Sequence, residues 1–156
     1  MCSTVASAYD FKVGGIYYNI TDVVNRTVEV TFENNSGKGV KSDYEGDVTI
    51  PETVNYRGII YRVTSISSFA FFGCTSLSSI VIPNSVTSIG KEAFYYCTAL
   101  KSVTLGANVV SIGSGAFDYC YIKKIINYSK LTLIKGQRDN GGVAQYAEEI
   151  INKQSE

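Results

Sequence analysis

The chain has 156 residues, 45% hydrophobic and 18% charged, with 14 basic and 14 acidic side chains and no histidine. That composition describes one folded domain. Zero net charge argues against nucleic-acid binding, the lack of His removes Ser–His and Cys–His catalysis and His-containing metal sites, and no run approaches the roughly 18 apolar residues of a membrane span.

Residues 1–8 end in Ala6-Ser7-Ala8, a small-residue pattern that precedes signal-peptidase cleavage. They read as the tail of a signal peptide, cleaved before Tyr9. Residues 9–62 read as an N-terminal β cap, because a solenoid needs its open strand edges covered. Within it, Gly14-Gly15 predicts a hairpin between residues 10–13 and 16–20. Residues 27–32 form a β-branched strand, and 33–43 a polar loop. Val48-Thr49-Ile50-Pro51 looks like a strand preceding the first repeat, followed by a hairpin near Arg57-Gly58.

Residues 63–127 carry a repeat of 23 residues. Cys74, Cys97 and Cys120 share this spacing, as do Val63, Val86 and Val109, and Ile66, Ile89 and Ile112. Ala70-Phe71, Ala93-Phe94 and Ala116-Phe117 keep the same register. A unit this short cannot bury its own apolar face, but stacked units bury a continuous core. Residues 79–82 and 102–105 alternate polar and apolar, which predicts parallel strands stacked about 4.8 Å apart. The Ala-Phe-x-x-Cys segment predicts a turn on the opposite face. The fold class is therefore mainly β: a short, right-handed solenoid. After Cys120 the spacing shortens by one, so Ile122 takes the position of Leu77 and Leu100. Residues 128–156 read as a C-terminal cap within one compact domain. Val143, Ala147, Ile150 and Ile151 fall at helical spacing, which predicts a short closing helix or turn over residues 143–153.

The stretches Val63-Thr-Ser-Ile66, Ala70-Phe71-Phe72-Gly73-Cys74, Leu77-Ser-Ser-Ile-Val-Ile-Pro83 and Val86-Thr-Ser-Ile-Gly90-Lys-Glu-Ala-Phe94 resemble the BspA-type leucine-rich repeat family. The resemblance implies a leucine-rich-repeat solenoid from a bacterium. One departure is that Leu105-Gly106 replaces the Ile82-Pro83 step.

Four cysteines raise the question of disulfides. Three belong to the repeat and point inward as a ladder, which predicts buried free thiols. With no Cys-x-x-Cys and no His, no zinc site is expected. The acidic cluster Asp43-Tyr44-Glu45-Gly46-Asp47 lacks an EF-hand's loop and bidentate Glu, and reads as a solvated turn. No catalytic residues, metal or cofactor are predicted, so the chain is expected not to be an enzyme.

The candidate binding residues lie on two surfaces. Ser79, Val81, Lys101, Ser102, Thr104 and Lys124 should point outward from the strands. Residues 63–120 hold only four charged side chains but sixteen Ser or Thr, so this face is polar and nearly neutral. Tyr95, Tyr96 and Tyr119, with Phe72, sit beside the core Phe positions, where Tyr supplies contact area and a hydroxyl. The resemblance implies a secreted or cell-surface protein that adheres to an extracellular or host protein of the matrix or plasma class. A carbohydrate-binding module and a structural repeat domain without its own ligand are the alternatives. Neither a nucleic-acid partner nor a membrane span is expected.

Overall fold

The computed structural model describes residues 9–34, 40–41 and 43–154. The expected signal-peptide remnant and Cys2 lie outside them. Strands β1 (Phe11–Val13) and β2 (Ile16–Asp22) pair antiparallel across Gly14-Gly15, and β3 (Thr27–Thr31) pairs antiparallel with β2. Both glycines have positive φ, which a two-residue hairpin of this kind requires. Residues 33–43, read as one polar loop, contain a small pair, β4 (Glu33–Asn34) with β5 (Val40–Lys41). Then come β6 (Gly46–Thr49), β7 (Thr53–Tyr56) and β8 (Ile59–Ile66). The last two form the expected hairpin at Arg57-Gly58.

The repeats supply β9 (Leu77–Val81), β10 (Ser88–Ile89), β11 (Ser102–Leu105), β12 (Ser111–Ile112) and β13 (Lys124–Asn127). A 3-10 turn at Asn140–Gly142 and β14 (Glu149–Asn152) complete the described chain. Two parallel ladders result. One runs β6, β9, β11, β13, β14; the other runs β3, β8, β10, β12. Equivalent residues pair directly, Ser102 with Ser79 and with Lys124, and Thr104 with Val81 and with Ile126. Ile122 is buried, as the shortened spacing predicts.

Between the ladders the repeated side chains stack on themselves. Phe71, Phe94 and Phe117 form a column with ring centroids 4.7 and 4.8 Å apart and planes within 11°. All three are buried, with Ala70, Ala93 and Ala116 beside them. Tyr44 supplies an unexpected further rung, 4.3 Å from Phe71. It is buried inside the acidic cluster read as a solvated turn, while its hydroxyl donates to the Thr31 carbonyl and accepts the Tyr17 amide. Burial pushes that hydroxyl's pKa up.

The turns stack by hydrogen bonds as well as by side chains. The Phe71 amide donates to the Ala93 carbonyl and the Phe94 amide to Ala116, both at 2.7 Å. Gly106 explains the departure from the Ile-Pro step. A Cβ there would lie 2.3 Å from the Pro83 carbonyl oxygen, so the chain approaches too closely for any side chain.

The C-terminal end corrects the sequence reading. Among the described residues a 3-10 turn at Asn140–Gly142 stands just before the segment where a helix or turn was expected, and the end of that segment is a strand. β14 joins β13 in parallel, with Ile150 opposite Ile125 and Asn152 opposite Asn127. Val143 and Ala144 are buried in the core before it. The open edge of β13 offers backbone groups that need partners, and the β-branched pair Ile150-Ile151 suits a strand. Those two terms outweigh an apolar spacing that fits a helix over only three turns.

Candidate functional site

The strand face carries Ser79, Val81, Ser102, Thr104 and Lys124 in adjacent register, as expected, with Lys101 just before β11. Lys101 and Lys124 are exposed, and Val81 is 36% exposed. Many of its polar groups are already satisfied within the chain. Ser78 and Ser79 hydroxyls donate to one Asp47 carboxylate oxygen at 2.9 and 2.6 Å. Those hydrogen bonds, Ser79's first, hold the Asp47 carboxyl below its ordinary value. Lys123 pairs with Glu148, and Lys124 with Glu149 at 3.3 Å. Lys101 lies 5.6 Å from the Tyr121 ring centre. A shallow groove crosses one end of this face, lined by Val81, Thr104, Glu52, Gly106 and Tyr128.

The second surface is an aromatic edge along the turns. Phe72 and Tyr95 stack with centroids 5.2 Å apart and planes 6° apart. Tyr119 meets Tyr95 edge-on at 5.1 Å and Tyr96 at 6.1 Å, tilted by 55°. The three tyrosines named from the sequence therefore come together. They do not form one surface with the strand-face residues, because the turns and the strands lie at different faces of the coil.

Each turn places two residues in the left-handed region. The first set is Phe69, Glu92 and Gly115; the second is Gly73, Tyr96 and Tyr119. The second set follows the 23-residue period, with Gly in the first unit and Tyr in the next two. For a bulky side chain this backbone costs roughly 1–3 kcal/mol. The conformation is required because it aims the backbone along the stack: the Gly73 amide donates to the Tyr95 carbonyl and the Tyr96 amide to Asp118. Tyr96 and Tyr119 nonetheless keep half their surface exposed, at 50% and 51%. Sequence reasoning located these tyrosines but not their strain. The glycine at position 73 was the available signal.

Asp118 and Glu92 lie beside this edge. Desolvation first, then the neighbouring Tyr119, Glu92 and Asp118, hold the Tyr95 hydroxyl above its ordinary value. Glu92 is paired with Lys91 at 3.3 Å. Cys74, Cys97 and Cys120 are buried thiols, as expected, with no disulfide among the described residues. The Cys97 thiol donates to the Phe71 carbonyl and the Cys120 thiol to Phe94, at 3.0 and 2.9 Å. Hydrogen bonding among the three thiols, together with burial, pushes the Cys97 thiol up, away from the reactive thiolate. Among the described residues, no three His, Cys, Asp or Glu side chains converge as metal ligands, and no helix is long and apolar enough to cross a membrane.

The chain is similar in structure to several bacterial repeat proteins. A leucine-rich repeat protein from Bacteroides capillosus ATCC 29799 is 26% identical, with a TM-score of 0.66 over 92% of this chain and 97% of that one. A leucine-rich repeat protein from Bacteroides ovatus ATCC 8483 is 28% identical, with a TM-score of 0.55. It aligns with 92% of this chain, which spans only 37% of its length. A leucine rich cell surface protein from Faecalibacterium prausnitzii A2-165 shares the fold at 22% identity and a TM-score of 0.58, over 94% of this chain and 42% of that one. No curated protein matches the chain. In sequence, the BspA type leucine rich repeat region matches residues 47–137 in 6 copies, more than half of the chain. With the 23-residue ladders on either side of one aromatic column, the chain belongs to the BspA-type leucine-rich repeat family.

Proposed function

We propose that this is a secreted or cell-surface bacterial protein that adheres to an extracellular or host protein through its aromatic edge, without catalysis. The repeat architecture supports an interaction role, and one structurally similar protein is described as a leucine rich cell surface protein. The observation behind the siting is that Tyr96 and Tyr119 occupy strained left-handed positions while half exposed. Strain retained at an exposed aromatic suggests a contact made with something else, because glycine would meet the backbone requirement without cost. The strand face is the weaker candidate, as its charges are largely paired with one another. The coil is read as right-handed, the hand that parallel crossover connections take.

The test is binding of the purified chain to immobilised matrix proteins, plasma proteins and glycans. The expected result is a protein ligand that Ser102→Arg still binds and that Tyr96→Ala and Tyr119→Ala bind at least about tenfold more weakly. A ligand lost on Ser102→Arg alone would move the site to the strand face. A glycan-only result would make the chain a carbohydrate-binding module.

A further inference from the structure

The far end of the coil is a strand edge. β14 is the outermost strand of its ladder, and among the described residues no strand pairs with its other side. The Glu149 amide donates to the Lys123 carbonyl and the Lys153 amide to Asn127, at 2.9 and 2.8 Å. Backbone groups alternate sides along a strand, so those of Ile150 and Asn152 face the open edge. The layer behind that edge is apolar. Leu131, Leu133, Ala147 and Ile150 pack against the core yet stay partly exposed, and Ile134 is exposed. A terminal turn with a polar outer face would blunt such an end, and this one has none.

Charge decides what fits there. The outward positions in register across the ladder are Asp47, Ser79, Ser102, Lys124 and Glu149. A second copy continuing the ladder head to tail, its β6 parallel to β14, would set Asp47 beside Glu149, and like charges directly opposite oppose pairing. An antiparallel copy of β14 behaves differently. If Ile150 and Asn152 exchange the edge hydrogen bonds, each Ile150 faces the Asn152 of the other copy and a twofold axis falls at Ile151. Residues two apart share a face, so Glu149 then faces Lys153 of the other copy, twice, and Ile151 faces itself. Glu149 and Lys153 are both exposed. The neighbouring register, with Ile150 opposite itself, would put Glu149 against Ile151 and leave the Lys153 charge unused.

We infer that the β14 edge is a self-association surface, taking β14 of a second copy antiparallel about a twofold axis at Ile151. The second copy supplies the backbone partners, the apolar contact and the opposite charges that this edge can use. Such pairing closes at two chains, so it removes the edge instead of passing it on to a filament. The inference stands apart from where a ligand binds, although a pair carries two copies of any binding surface.

The first test is light scattering and sedimentation of the whole chain up to about 1 mM, since four paired residues make a small, weak interface. The expected result is a reversible monomer–dimer equilibrium with no larger species. A chain that stays monomeric throughout, or grows beyond two, would overturn the inference. The register is tested by charge. Glu149→Lys and Lys153→Glu should each weaken dimerisation about tenfold, because each sets like charges opposite twice. An equimolar mixture of the E149K and K153E chains should regain the parent's association, because mixed pairs restore both attractions. A mixture no better than either chain alone would overturn the antiparallel register. Amide exchange of the parent chain checks the same edge without any variant. Exchange at Ile150 and Asn152 should slow as concentration rises, and unchanged rates there in a dimerising sample would place the contact elsewhere and defeat the inference.

Discussion

Phe94 lies in the middle of the aromatic column, touching Phe71 on one side and Phe117 on the other, with no exposed surface. Phe94→Ala should cost about 3–5 kcal/mol, because neighbours fixed by two hydrogen-bonded turns cannot collapse into the gap. An unchanged unfolding midpoint in denaturant would contradict the stacking. Tyr96 tests the opposite case. Tyr96→Gly removes left-handed strain and little buried surface, so stability should change by less than about 1 kcal/mol, whereas Tyr96→Ala keeps the strained backbone. Asp47 gives a pH readout. Hydroxyls of Ser79 and Ser78 lower its carboxyl in the folded state, so its contribution to folding is present above the unfolded carboxyl's value and is lost as pH falls through the lowered one. Ser79→Ala should raise the Asp47 midpoint in a carboxyl NMR titration, and an unmoved midpoint would contradict the hydrogen bond. At this scale the repeat was readily legible. Phe71, Phe94, Phe117 and the three cysteines fall where their spacing puts them, because stacking forces equivalent residues into equivalent surroundings. Tyr44 was not legible. It replaces the Phe of a unit that has no Ala-Phe-x-x-Cys signature, and acidic neighbours hide it.

At the scale of elements, the strands of the main ladder were predictable from alternation. β10 and β12 were not, because two residues cannot display a period. The repeated Ser-Ile pairs marked their positions without revealing their conformation. β14 was read as part of a helix or turn. Its register with β13 rests on a step of 25 residues, from Lys124 to Glu149, which the 23-residue search does not find. The ladder account makes a prediction here. Ile150→Asp places a charge among apolar residues at the end of the core and should release β14. Amide hydrogen exchange should then accelerate across β14 and the paired edge of β13, while β11 stays protected by β9. Equal exchange in both chains would mean that β14 is not held by its inward side chain.

Over the whole molecule, backbone, apolar and aromatic groups repeat along one axis, so each turn is held mainly by its neighbours. The N-terminal hairpin joins the same system through β3, which lies parallel to β8. A frame built this way fixes its surface residues as firmly as its core. It explains how two tyrosines are kept half exposed at backbone positions suited to glycine. What the sequence does not contain is the reason one surface rather than the other should bind. That depends on which side chains are already paired within the chain, and pairing between turns appears only once the register is known. The most direct test is amide hydrogen exchange of the chain, free and bound to a protein ligand from the matrix and plasma panel. The account predicts slowed exchange at residues 92–97 and 115–121, on the aromatic edge. Protection confined to β9, β11 and β13 would contradict it and place the partner on the strand face.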